Sequence, residues 1–257
     1  MKKKNWIALG IGCAVLAGGA VLTVMTRAAA IAEEAVTSAK IPFALGLIMI
    51  LCGFLIALVG VLPERKPTNV RTLSMAALFA ALCYIGFTYC KIDIPVGMEK
   101  TAFHLGNVFC VLAALFLGGM WGGMAGAVGM TIADLTTAYV TSAPKTFLLK
   151  LCIGLITGFV AHKIFKLSQD KARKIPLTAA TVISCAAGMA FNIVADPLVG
   201  YFYKMYILGV PQEAASIWAK IGAVTTSVNA VVAVISASLL YMALRKAMKR
   251  TNLLPKL

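Results

Sequence analysis

Apolar residues run along this chain in long blocks separated by short polar stretches. Blocks of roughly 20 apolar residues, long enough to cross a hydrocarbon core as helix, fall at about 6–26, 41–63, 72–90, 104–119, 121–138, 146–163, 176–196 and 218–243. The connections are short, and an open sheet would leave backbone groups unpaired in lipid. The pattern therefore predicts an all-α integral membrane protein. A polar break containing a proline, ERKPTNVR at 64–71, separates a two-span leader (1–66) from a six-span body (67–257). A second break at 162–175 divides the body into four spans and two.

Composition supports this reading. Of 257 residues, 61% are hydrophobic and 13% charged, where a soluble domain has about a quarter charged. The net charge of +15 resembles a nucleic-acid signal until its distribution is examined. With the N-terminus inside and eight alternating spans, the inner segments hold 16 of the 24 basic residues and only two acids, Glu64 and Asp170. That asymmetry predicts both termini in the cytoplasm and contact between basic residues and membrane lipid. It does not predict nucleic-acid binding, for which no folded soluble module is present. The seven cysteines are scattered without a CxxC pair and, with two histidines, make no zinc site. Two fates fit the N-terminus: the run from Trp6 is an uncleaved anchor, or Ala28-Ala29-Ala30 marks signal cleavage.

Against this background His104, Asn107, Asp134 and Lys150 stand out, because an ionisable group at membrane depth usually faces a cavity, a partner or a ligand. Asp134 and Lys150 each lie about five residues from the same surface, roughly 7 Å deep at 1.5 Å per residue. His104 and Asn107 open the fourth span, 104–119, from that same side. Asn192 and Asp196 are four apart, hence on one helix face. Tyr139 lies at the rim. These groups are expected to line a pocket in the outer half of the bundle. Each also has a structural reading: Asp134 with Lys150 as an ion pair, His104 as an interfacial cap, Asn192 as helix-to-helix glue, the tyrosines as an aromatic belt. The inner half carries hydroxyls, among them Thr131, Thr157, Thr181 and Ser184, and span eight adds Thr225, Thr226, Ser227 and Asn229 near its middle. No charge lines that half, so a proton relay through this chain is not expected.

Small residues are also organised. Gly118, Gly122 and Gly126, and Gly119 and Gly123, are spaced by four, which lets helices approach closely. Ala76/Ala80 and Ala77/Ala81 form two overlapping AxxxA pairs, read either as internal packing or as a docking face for another membrane subunit.

The stretch from Phe103 to Val160 resembles the substrate-binding S components of energy-coupling-factor (ECF) transporters, closest to the riboflavin-type group. The resemblance rests on Leu105-Gly106-Asn107, on the turn from Gly129 to Asp134, and on Pro144 to Lys150, and it extends over the six-span body. It implies a six-helix vitamin-binding protein of the bacterial cell membrane. It also implies docking on a transmembrane coupling subunit through AALFAA at 76–81, and two ATPase subunits; this chain has no GxxxxGK[ST] of its own. The substrate would be a heterocyclic vitamin or precursor, flavin favoured, held by His104, Asn107, Asp134, Tyr139, Lys150, Asn192 and Asp196. No cofactor, metal or catalytic residue is expected, since neither HExxH nor GxSxG occurs. The alternative is a stand-alone secondary transporter of a small polar solute. The two extra N-terminal spans lie outside the usual six-helix body.

Overall fold

The computed structural model describes residues 10–15, 17–22, 25, 70–96, 99–169 and 173–251. The leader's second span, 41–63, and the break at 64–69 lie outside the described residues; within the first span a short apolar helix runs over Gly10–Leu22. The chain divides into two units, Met1–Thr68 with Phe202–Ala215, and Asn69–Tyr201 with Ser216–Leu257. In the first, a π-helical turn at Tyr203–Ile207 is braced by Phe202 stacked on Tyr206 at 6.0 Å. The second carries the fold that matters for function.

That fold comprises α1 (Val70–Thr88), a hairpin of β1 (Lys91–Val96) and β2 (Glu99–His104), α2 (Gly106–Leu135), α3 (Ala143–Phe159), α4 (Leu177–Phe202) and α5 (Gln212–Arg250). By length and composition, five helical stretches can cross a membrane. Their outward faces are apolar, with Leu78, Val194, Val224, Val231 and Leu239 exposed, while Asn107, Asp134, Lys150 and Asn192 are buried. This inverts the arrangement of a water-soluble protein. The chain is a multi-pass membrane protein.

α2 is two helices rather than one. Gly118 sits at φ 79°, ψ 170°, a conformation closed to residues with a Cβ, and the chain doubles back there. Gly122 then lies against Ala114 and Gly126 against Cys110, pairs that a straight helix would hold far apart at 1.5 Å per residue. The legs 106–117 and 119–135 are thus antiparallel, which divides the described residues of the body into six helical segments. α3 packs equally closely on the second leg, Gly154 on Gly123 and Gly158 on Gly119, backbone to backbone. The glycines spaced by four are internal packing. Leg 106–117 is buried over nearly its whole length. Its last carbonyls are orphaned by the turn, and His162 Nε2 lies 3.3 Å from one of them, Ala114 O. Pro144 occupies the first turn of α3, where its missing N–H costs nothing.

The hairpin was not foreseen. Its register runs from Lys91↔His104 to Val96↔Glu99. Pro95 is tolerated because β1 is an edge strand. The Leu105 amide, donating to Gly86 O (3.0 Å) and Cys90 O (3.2 Å), fastens the hairpin to the end of α1. His104, expected to open a helix, is instead the last residue of β2.

Candidate functional site

The hairpin marks one end of the bundle, and most of the sequence-predicted polar residues gather there. His104 has its ring 4.6 Å from that of Phe87, and its Nδ1 is buried without a protein partner. Burial, reinforced by the Lys150 charge, pulls the imidazole pKa from 6.5 to about 3, so His104 is neutral at physiological pH. Asn107, in the first turn of α2, is 2% exposed and its Oδ1 has no partner. Asp134, near the end of the second leg, bonds the Thr146 hydroxyl, while its Oδ2 is buried and unpartnered. Asn192 on α4 is 1% exposed, again with a free Oδ1. Lys150 is buried on α3, with the Cys110 thiol 3.7 Å from its backbone oxygen.

Charge interactions place several of these groups together. Lys150 lies within electrostatic reach of Asp196, Lys145 and Asp134, and His104 within reach of Lys150 and Asp196. The ion pair between Asp134 and Lys150, the structural alternative for these two residues, is not formed. Asp196 takes Lys145 instead, at 2.9 Å, and its second oxygen accepts from Thr226 at 2.8 Å. Both carboxylate oxygens are therefore occupied in tying α3, α4 and α5 together. Lys145 wins because it lies one turn nearer the start of α3, level with Gly200 and Asp196 on the antiparallel α4. Pro197, directly after Asp196, removes one backbone donor from α4 at this level.

Tyr139, in the α2–α3 connection, donates its hydroxyl to Asp93 Oδ1 at 2.8 Å. Burial and that bond hold the phenol protonated by raising its pKa. Lys91 pairs with Asp93 at 3.3 Å and stands 5.0 Å over the Tyr139 ring. Tyr139 also meets Phe87 edge-on at 5.5 Å. The aromatic group Phe87, Tyr139 and the His104 ring thus lies beside the polar cluster.

Sequence reasoning missed Lys145, Phe87, Asp93 and Pro197, and placed part of α5 at the wrong depth. Thr225, Thr226 and Asn229 reach the hairpin end: Thr225 lies 3.1 Å from Thr101, and Asn229 bonds the backbone of Ala102 and His104. The 39 residues of α5 extend about 58 Å, nearly twice the hydrocarbon thickness. The middle of that helix is therefore not the middle of the membrane. Of the docking alanines, Ala76 is buried and Ala80 meets Gly129, whereas Ala77 and Ala81 lie on the exposed face of α1.

The described residues thus form a membrane protein of apolar-faced helices that buries carboxylate and amide oxygens without protein partners at one end, with the buried Lys150 among them. The chain belongs to the ECF-type riboflavin transporter S component family, whose model matches residues 67–246. No curated protein and no solved structure matches it. The protein is the membrane-embedded substrate-binding subunit of an ECF transporter, not an enzyme; S components work with a membrane coupling subunit and ATPases.

Proposed function

We propose that this subunit takes up a flavin or a closely related heterocyclic vitamin or precursor, held beneath the hairpin at the outer face of the bacterial cell membrane. His104, Asn107, Asp134, Lys150 and Asn192 supply the polar contacts. Phe87 and Tyr139 supply aromatic surface, and Asp196 braces the helices around them. One observation carries the reading: His104 Nδ1, Asn107 Oδ1, Asp134 Oδ2 and Asn192 Oδ1 are all buried without protein partners. Each such atom costs about 1–3 kcal/mol if it stays unmet, and native proteins leave few of them. A ligand carrying several N–H or O–H donors and an acceptor for Lys150 meets them at once. Flat heterocycles suit an apolar site with a few convergent polar groups.

The partners are a transmembrane coupling subunit and two ATPase subunits. Ala77 and Ala81, exposed on α1, are the pair available to the coupling subunit. Both termini are cytoplasmic, which sets the hairpin outside.

The direct test is titration of the purified full chain, in lipid nanodiscs without nucleotide, against a vitamin panel, with riboflavin followed by fluorescence quenching. Saturable one-site quenching is expected. Asp134→Ala should weaken it at least tenfold, about 1.4 kcal/mol. A wild-type chain that binds nothing across the panel overturns the vitamin reading. Orientation is tested separately. Cys90 is exposed at the hairpin end, so a membrane-impermeant thiol reagent should label it from outside intact cells in a chain with Cys13 and Cys52 changed to serine.

A further inference from the structure

Asn229 is buried on α5, and both ends of its side-chain amide are engaged. Its Nδ2 donates to Ala102 O at 3.0 Å, and its Oδ1 accepts from the His104 N–H at 3.0 Å. In an extended strand the carbonyl of one residue and the amide of the residue two further on point to the same edge. They are the pair that one residue of a neighbouring strand engages in a parallel ladder. β2 has β1 on one side only, and its other edge would otherwise be bare. The chemistry also fixes the orientation of the amide, because a carbonyl needs the NH2 group and an N–H needs the oxygen. One turn earlier on the same face of α5, Thr225 meets Thr101 of β2 at 3.1 Å. One step round the helix, Thr226 holds Asp196 of the charged network.

We propose that Asn229 is a positioning residue that stands in for a third strand: it pins β2 to α5, sets the His104 ring in the site, and so governs how long substrate stays bound. Asn229 differs in kind from Asn107 and Asn192, whose Oδ1 atoms have no protein partner; its amide is committed to the backbone. One clamped atom, the His104 N–H, belongs to the residue whose unpartnered Nδ1 contributes to the site, and the other, Ala102 O, lies two residues before it on β2. Loosening the amide therefore acts on substrate through His104 without removing a substrate contact. The binding part of this inference rests on the vitamin reading above, whereas the clamp itself does not.

The test compares wild type with Asn229→Ala and the isosteric Asn229→Asp, which keeps an acceptor for His104 but loses the donor to Ala102. Amide hydrogen exchange is measured on the full chain in nanodiscs without ligand, and riboflavin association and dissociation by stopped-flow quenching. In Asn229→Ala the amides of 100–104 should exchange at least tenfold faster, with α2 and α3 unchanged. Riboflavin should leave at least tenfold faster, with a smaller change in association. Asn229→Asp should show the same pattern, less strongly in exchange at His104. Unchanged exchange in the hairpin overturns the clamp, as does acceleration spread through all helices. Faster hairpin exchange with unaltered riboflavin dissociation overturns its link to substrate. Wild type that binds no riboflavin would defeat the flavin assignment and the link to riboflavin dissociation, and the exchange comparison would still decide the clamp.

Discussion

The two ends of the helical body are built from the same helices by opposite rules. At the Gly118 end, backbones touch: Gly154 lies on Gly123 and Gly158 on Gly119. The polar side chains there are spent locally. His162 reaches Ala114 O and Ser168, Arg245 donates to Leu167 O, and Thr181 and Ser184 bond carbonyls one turn back. One hydroxyl, Thr157, lacks a partner, and Ser238 has only the Cys185 thiol, but among the described residues no amide or carboxylate there is unmet. At the hairpin end Asn107, Asp134 and Asn192 each keep a buried oxygen unmet. One end is closed by packing and the other keeps bonding capacity in reserve. Stability and binding should therefore respond to mutation at different places.

The largest effect is expected at the closed end. A Cβ at Gly154 would overlap the Gly123 backbone, so Gly154→Val should cost about 3 kcal/mol or more, seen as loss of cooperative thermal unfolding in detergent. A well-folded Gly154→Val protein would break the contrast. Next is the brace between the ends. Lys145→Met strands Asp196, and a largely buried pair broken on one side should cost about 2–3 kcal/mol. Adding Asp196→Leu should recover at least half of that, and failure to recover would mean the pair acts through something other than unpaired charge.

Third comes acidification. His104 is held neutral in the folded chain, with its pKa lowered to about 3. The unfolded chain takes up a proton first as pH falls through about 6.5, so stability drops with falling pH across that window. Between pH 6.5 and 5 the loss should approach about 2 kcal/mol, and His104→Asn should flatten the slope in denaturant titrations. An unflattened slope would assign it to another group. The smallest change in folding is expected at the open end. Asn107→Ala removes a group whose oxygen has no protein partner, so its unfolding temperature should stay close to wild type while riboflavin affinity falls about tenfold, about 1.4 kcal/mol. Lost stability with intact binding would reverse the assignment of the two ends.

Much of this was legible in the sequence because membrane insertion writes hydrophobicity in long blocks. The six body segments follow from those blocks. The turn itself was not legible: Gly118 and Gly119 read as packing glycines by their spacing of four, and only the positive φ at Gly118 shows the reversal. The polar residues His104, Asn107, Asp134, Lys150, Asn192 and Asp196 stood out because polar groups are rare at that depth. What escaped was pairing across space. Nothing local distinguishes Lys145 from Lys150 as the partner of Asp196; the offset between antiparallel α3 and α4 decides it. The hairpin carries a short signal of its own: Ile92, Ile94 and Val96 alternate with Lys91, Asp93 and Pro95, and Gly97 follows, a period of two at a turn residue, too brief to stand out among apolar blocks of roughly 20. Depth along α5 was misjudged because a helix longer than the membrane is thick has no fixed relation between sequence midpoint and bilayer midplane.

The reversal at Gly118 also bears on how the protein is made. Leg 106–117 is about 18 Å long, too short to cross a hydrocarbon core of about 30 Å as a separate stop or start signal. It has no lipid-facing side once assembled. Its shelter therefore comes from its neighbours, first of all the return leg 119–135, which lies against it from Gly122 on Ala114 to Gly126 on Cys110.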